Sequence, residues 1–89
     1  VAAPQSRPLR KFSFNEQREY DTIEAVIAGV EAELQAVAAE IDAAGADFSL
    51  LQQLMARQAG LNAKLEGLME RWAYLEELSE SIREQNKPD

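Results

Sequence analysis

Five cations carry the chemistry this sequence can offer: Arg10, Lys11, Arg18, Arg71 and Arg83. A guanidinium or ammonium group neutralises a phosphate without reading a base, and the attraction that results is weak and strongly salt-dependent. Other chemistry is excluded by residue type. The chain has no histidine and no cysteine, which removes Ser-His-Asp and Cys-His nucleophiles and nearly all zinc sites. It has no Gly-x-x-x-x-Gly-Lys-Ser/Thr or Gly-x-Gly-x-x-Gly stretch to cradle a phosphate. Its carboxylates fall on solvated helix faces, where nothing tunes their pKa for acid-base work. Read alone, the chain is not an enzyme and calls for no cofactor or metal.

Whether the five cations meet depends on the elements that carry them. Ile23, Ile27, Val30, Leu34, Val37, Ile41 and Ala44 recur at alternating spacings of four and three, the seam of a coiled-coil helix. A second ladder runs through Leu51, Leu54, Gln58, Leu61, Leu65, Leu68, Trp72 and Leu75, with only Gln58 polar. Between them, Ala44-Gly45-Ala46-Asp47 is long enough only for a reversal. Residue numbers that sum to 95 then face each other, from Ile41 with Leu54 through Val37 with Gln58 and Ile23 with Trp72 to Tyr20 with Leu75. A single unbroken helix would instead put Asn62 and Glu76 in the seam and discard Leu54, Leu61, Leu68 and Leu75. It would also hold Gly45 in a helix interior, at about 1 kcal/mol against alanine. The expected fold is all-α: two long helices in an intramolecular antiparallel coiled-coil hairpin.

Residues 1–10 contain two of the three prolines and no periodicity, as a linker or flexible arm would. The hairpin is expected over 11–85, with helices over about 14–44 and 49–84, a turn over 45–48 and a frayed tail over 86–89. Ser13 and Glu16 have capping-box spacing for the first helix, and Gly45 suits its left-handed C-terminal cap. Asp47 and Ser49 are both candidate N-caps for the second. Phe48 is expected to plug the tip against Ala44 and Leu51. The opening of the first helix is irregular, because the ladder extended backward puts Glu16 in the seam and Phe14 out of phase. Either its first turns are wound differently, or Phe12 and Phe14 fold back over the base of the hairpin. Along one flank, Glu19, Val26, Glu33 and Glu40 face Arg57, Lys64 and Arg71, so acid meets base; such exposed pairs set orientation more than stability.

A chain of 89 residues makes one small domain, and a two-helix hairpin has a thin core. No apolar run approaches the roughly 20 residues of a membrane span, and the first eight residues lack the apolar stretch of a signal peptide. The expectation is a soluble, cytoplasmic monomer without a membrane partner. The net charge of −7 is unevenly spread. Residues 1–18 hold four cations against Glu16 alone, whereas residues 19–85 hold four cations against fourteen acids. An acidic shaft repels nucleic acid, while its basic beginning can still touch it.

The hairpin register gathers Arg10, Lys11, Arg18 and Arg83 at the base, with Arg71 a turn or two along. Five of the six aromatic residues, Phe12, Phe14, Tyr20, Trp72 and Tyr74, collect there too. Stacking on bases would need them exposed; Tyr20 and Trp72 are seam residues, which leaves Tyr74 as the helical candidate. The competing reading is that the cations only offset Glu16, Glu19, Glu76, Glu77, Glu80 and Glu84.

Two stretches resemble a known family. Lys11-Phe12-Ser13-Phe14-Asn15-Glu16-Gln17-Arg18-Glu19-Tyr20 is similar to the opening of the C-terminal domain of ABC-F ATPases, particularly the Uup-like branch, with Phe12 and Phe14 where leucine and tyrosine are usual. Glu70-Arg71-Trp72-Ala73-Tyr74-Leu75-Glu76-Glu77 resembles the segment that closes the same domain. The resemblance covers residues 10–80 and implies a coiled-coil piece of a larger cytoplasmic protein whose ATP-binding cassettes, absent here, would bind ATP and magnesium. It further implies action on the ribosome and, for Uup-like C-terminal domains, DNA binding. Two functions stand side by side: an accessory domain contacting DNA or ribosomal RNA through its basic base, and a structural arm reaching protein partners with no nucleic-acid affinity of its own.

Overall fold

The structure is a computed structural model and describes residues 11–85. Two helices account for nearly all of them: α1 over Phe14–Ala43 and α2 over Phe48–Gln85. The proposed linker over 1–10, with Arg10, and the tail over 86–89 lie outside the described residues. No disulfide is available to a chain without cysteine, and no described helix is long and apolar enough to cross a membrane.

Local chemistry sets each helix end. Ser13 Oγ accepts from the Glu16 amide at 3.1 Å, and Glu16 Oε1 accepts from the Ser13 amide at 3.0 Å, a reciprocal capping box. At the far end α1 stops at the cap residue Ala44, and Gly45 takes φ +61, a left-handed conformation that an L side chain resists. Asp47 begins α2: its Oδ1 accepts from the Leu50 amide at 3.1 Å. Of the two candidate N-caps, Asp47 therefore fills the role.

The helices run antiparallel. Polar contacts along one edge show it, because residue numbers on α2 fall as those on α1 rise: Glu16 with Tyr74, Glu19 with Arg71 and Glu33 with Arg57; Tyr20 reaches Glu76 as well. The buried residues are those of the seam, Ile23, Ile27, Val30 and Val37 on α1 and Leu54 and Leu75 on α2, joined by Leu78. Leu75 has no exposed surface at all and packs with Ile23 and Ile27. Phe12, Tyr20, Leu65, Leu68 and Trp72 close around this cluster, which lies in the base half of the rod. At 1.5 Å per residue the 38 residues of α2 make a rod about 57 Å long.

Both ends of the hairpin differ in detail from the sequence reading. Phe12 does fold back: its ring stacks on Tyr20, centroids 5.2 Å apart, and packs against the core. Phe14 does not, and is 76% exposed. The capping box explains the divergence, since it turns the chain at Ser13 and leaves Phe12 and Phe14 on opposite sides of that turn. Phe48 also corrects an expectation. It does not plug the tip but is 73% exposed, because as the first residue of α2 it falls outside the seam, whereas Ala44 and Leu51 are half-buried.

Candidate nucleic-acid interface

With the helices antiparallel, the start of α1 at Phe14 and the end of α2 at Gln85 share the base of the rod. Lys11, Arg18 and Arg83 belong to this end of the rod and are all exposed. Their surroundings differ. Lys11 precedes the cap and has neither an ion pair nor a side-chain hydrogen bond among the described residues. Arg18 points away from α2, with its guanidinium 5.8 Å from the centroid of the Phe14 ring; exposed Phe14 thus serves as its platform. Arg83 donates from Nη2 to Ser79 Oγ at 3.3 Å. It also lies in the last turn of α2, where a cation complements the partial negative charge of the helix end. Arg10 lies outside the described residues.

Arg71 is differently placed. Its Nε donates to Glu19 Oε2 at 2.9 Å and its Nη2 to Glu19 Oε1 at 3.0 Å, a two-pronged clasp across the helices. Its guanidinium lies 4.8 Å from the Tyr74 ring centroid. The hydrogen bond to Glu19 raises the Arg71 pKa further above its already high ordinary value. Tyr74 is no free stacking platform either: its hydroxyl donates to Glu16 Oε2 at 2.8 Å while Arg71 lies over its ring. Glu16, Glu19, Arg71 and Tyr74 form one clasp that fastens α1 to α2. Glu16 feels it most, with its carboxyl held below the ordinary carboxylate range first by the Ser13 amide and then by the Tyr74 hydroxyl.

The expected acid-base flank forms at two of its three basic positions. Arg71 meets Glu19, and Arg57 Nη2 meets Glu33 Oε2 at 3.3 Å. Lys64 makes no ion pair among the described residues, since the flank row places Val26, itself 44% exposed, opposite it. Sequence reasoning missed the two tyrosine bonds, Tyr74 to Glu16 and Tyr20 to Glu76. A signal existed for the first, since Glu16 sat in a seam position where a carboxylate needs a partner.

The described residues make a two-helix antiparallel rod, with three exposed cations, Lys11, Arg18 and Arg83, set among carboxylates at its base; no His, Cys, Asp or Glu group among them is arranged to hold a metal. The match to known families is specific. Residues 11–77 fit the family described as the ABC transporter C-terminal domain, and the chain belongs to that family, as a C-terminal domain of an ABC-F-like protein. It is 39% identical over 80 residues to the uncharacterized ABC transporter ATP-binding protein YfmR of Bacillus subtilis (strain 168). That alignment takes in 90% of this chain but 13% of the relative. No solved structure matches the chain significantly. The matched family is a C-terminal domain and not an ATPase cassette.

Proposed function

We propose that this chain is the nucleic-acid-contacting accessory arm of an ABC-F-type ATP-binding protein, and that Lys11, Arg18 and Arg83, with Arg10 beside them in sequence, bind phosphates of DNA or ribosomal RNA. What supports the reading is a contrast along the rod: two of the three shaft cations, Arg57 and Arg71, are paired with carboxylates, whereas all three described cations of the base, Lys11, Arg18 and Arg83, are exposed and without an ion pair among the described residues. Arg71 would have to release Glu19 to join them. Hydrolysis of ATP with magnesium in the remainder of a longer protein, and contact with a ribosome in the cytoplasm, form part of the same proposal, because the chain spans only 13% of its relative.

A salt series tests it. Binding of duplex DNA, single-stranded DNA and ribosomal RNA to the chain should weaken with salt, with a log–log slope of about −2 to −3 for three phosphate contacts on duplex. Exchanging Lys11, Arg18 and Arg83 for glutamine should abolish most of that slope, while Arg57→Gln should leave it in place. Binding that ignores both salt and the triple variant would remove the mechanism.

The second reading, a structural arm for protein or ribosome contact without nucleic-acid affinity, is favoured by one observation. Residues 19–85 hold fourteen acids against four cations, and that shaft repels a polyanion over most of its length. Absence of binding at the lowest salt would select it.

A further inference from the structure

The two edges of the hairpin are chemically unlike. On one, Glu19 and Glu33 are spent on Arg71 and Arg57. On the other, Glu24 and Glu31 stand seven residues apart on α1 with no hydrogen bond or ion pair among the described residues. Between these carboxylates and α2 lies a cleft of about 220 Å³ whose floor is Ile27, Met69 and Trp72. Met69 is 45% exposed, and it also borders a second, shallower depression against Ala59 and Ala63. Toward the tip the same edge continues through Met55, 58% exposed, to Phe48, 73% exposed. Phe48, Met55, Asn62 and Met69 recur every seven residues, the period a third helix would follow if laid along this side.

We infer that this edge docks a basic amphipathic helix of another protein, seating lysine or arginine side chains in the cleft. The long stem of such a residue lies on Ile27, Met69 and Trp72 while its charged head meets Glu24 and Glu31. Glu24 and Glu31 are about 10.5 Å apart along α1 at 1.5 Å per residue, so cations one heptad apart on the incoming helix reach both. Charge decides between occupants. Two unpaired carboxylates repel phosphates, so the edge does not suit nucleic acid. A second copy would bring its own acidic shaft, fourteen acids against four cations over residues 19–85, and so meets these carboxylates with like charge.

Trp72 is the sole tryptophan of the chain and lines the cleft, so its fluorescence reports occupancy directly. The probe is a capped helical peptide of roughly three heptads, with lysines seven apart and leucines at the intervening seam positions. Titrated into the 89-residue chain at low salt, it should shift Trp72 emission saturably, whereas the same peptide with glutamate for lysine should not. Glu24→Gln/Glu31→Gln should weaken the response at least about tenfold. Glu70→Gln/Glu77→Gln, which removes equal charge from the outward face of α2, should change it less than about twofold; far-UV circular dichroism confirms that each variant is folded. Several outcomes overturn the inference: no emission change, an equal response to both peptides, equal loss in both double variants, a shift produced by raising protein concentration alone (a second copy fills the edge), or duplex DNA that competes with the peptide.

Discussion

Glu16 shows how much one carboxylate can do in a thin fold. It caps its own helix through the Ser13 amide and accepts the Tyr74 hydroxyl from the opposite helix. Its pKa is lowered from 4.5, with the Ser13 amide as the leading cause and the Tyr74 hydroxyl next. Because the folded-state value lies below the unfolded one, the stabilisation is complete above the ordinary value and is lost as pH falls through the depressed folded-state value. Tyr74→Phe removes one of the two leading donors while keeping the ring under Arg71. The Glu16 carboxyl resonance, followed by NMR against pH, should then titrate closer to 4.5; an unchanged midpoint would show that Tyr74 does not govern it. Arg71 teaches the complementary lesson. Its guanidinium makes two hydrogen bonds to Glu19 across the helices, the acid-base pairing that its place on the flank predicts.

The two helices were readable in the sequence because a heptad pattern is a statement about burial. Ile23, Ile27, Val30 and Val37 are buried for the reason their spacing gave, and the facing register follows from the same ladder. The ends were less legible. Phe12 and Phe14 are the same residue type two positions apart, and only the direction imposed by the cap sends one to the core and one to solvent. Likewise Phe48 is apolar yet exposed, since hydrophobicity says that a ring gains by burial but not that a neighbour exists to bury it. The candidate site was legible as a set of charges and not as a set of partners: spacing could show that Arg71 had an acid opposite, but not that Glu19 would hold it with two bonds. At the turn, Gly45 with φ +61 has no atom within 4 Å of where a Cβ would stand, so the cost of substitution is conformational and not steric. Gly45→Ala should destabilise the hairpin by about 1 kcal/mol, measured by urea denaturation, and Gly45→Asn by less; equal stability of all three chains would mean that the turn readjusts.

Across the whole molecule, contacts are distributed unevenly along the rod. Three of the four polar contacts between the helices, those of Glu16, Glu19 and Tyr20, lie near the base. So does the cluster of Ile23, Ile27 and Leu75 with its ring of aromatic residues. The outer third keeps Val37 and Leu54 buried, but among the described residues no ion pair or side-chain bond joins the helices beyond Glu33 and Arg57. Amide hydrogens of Val37, Ile41 and Leu54 should exchange with deuterium sooner than those of Ile23, Ile27 and Leu75; a uniform rate would refute the gradient. The turn through Gly45 already ties the helices together at the tip, so the clasp and the aromatic cluster sit at the end where no peptide bond holds one helix to the other.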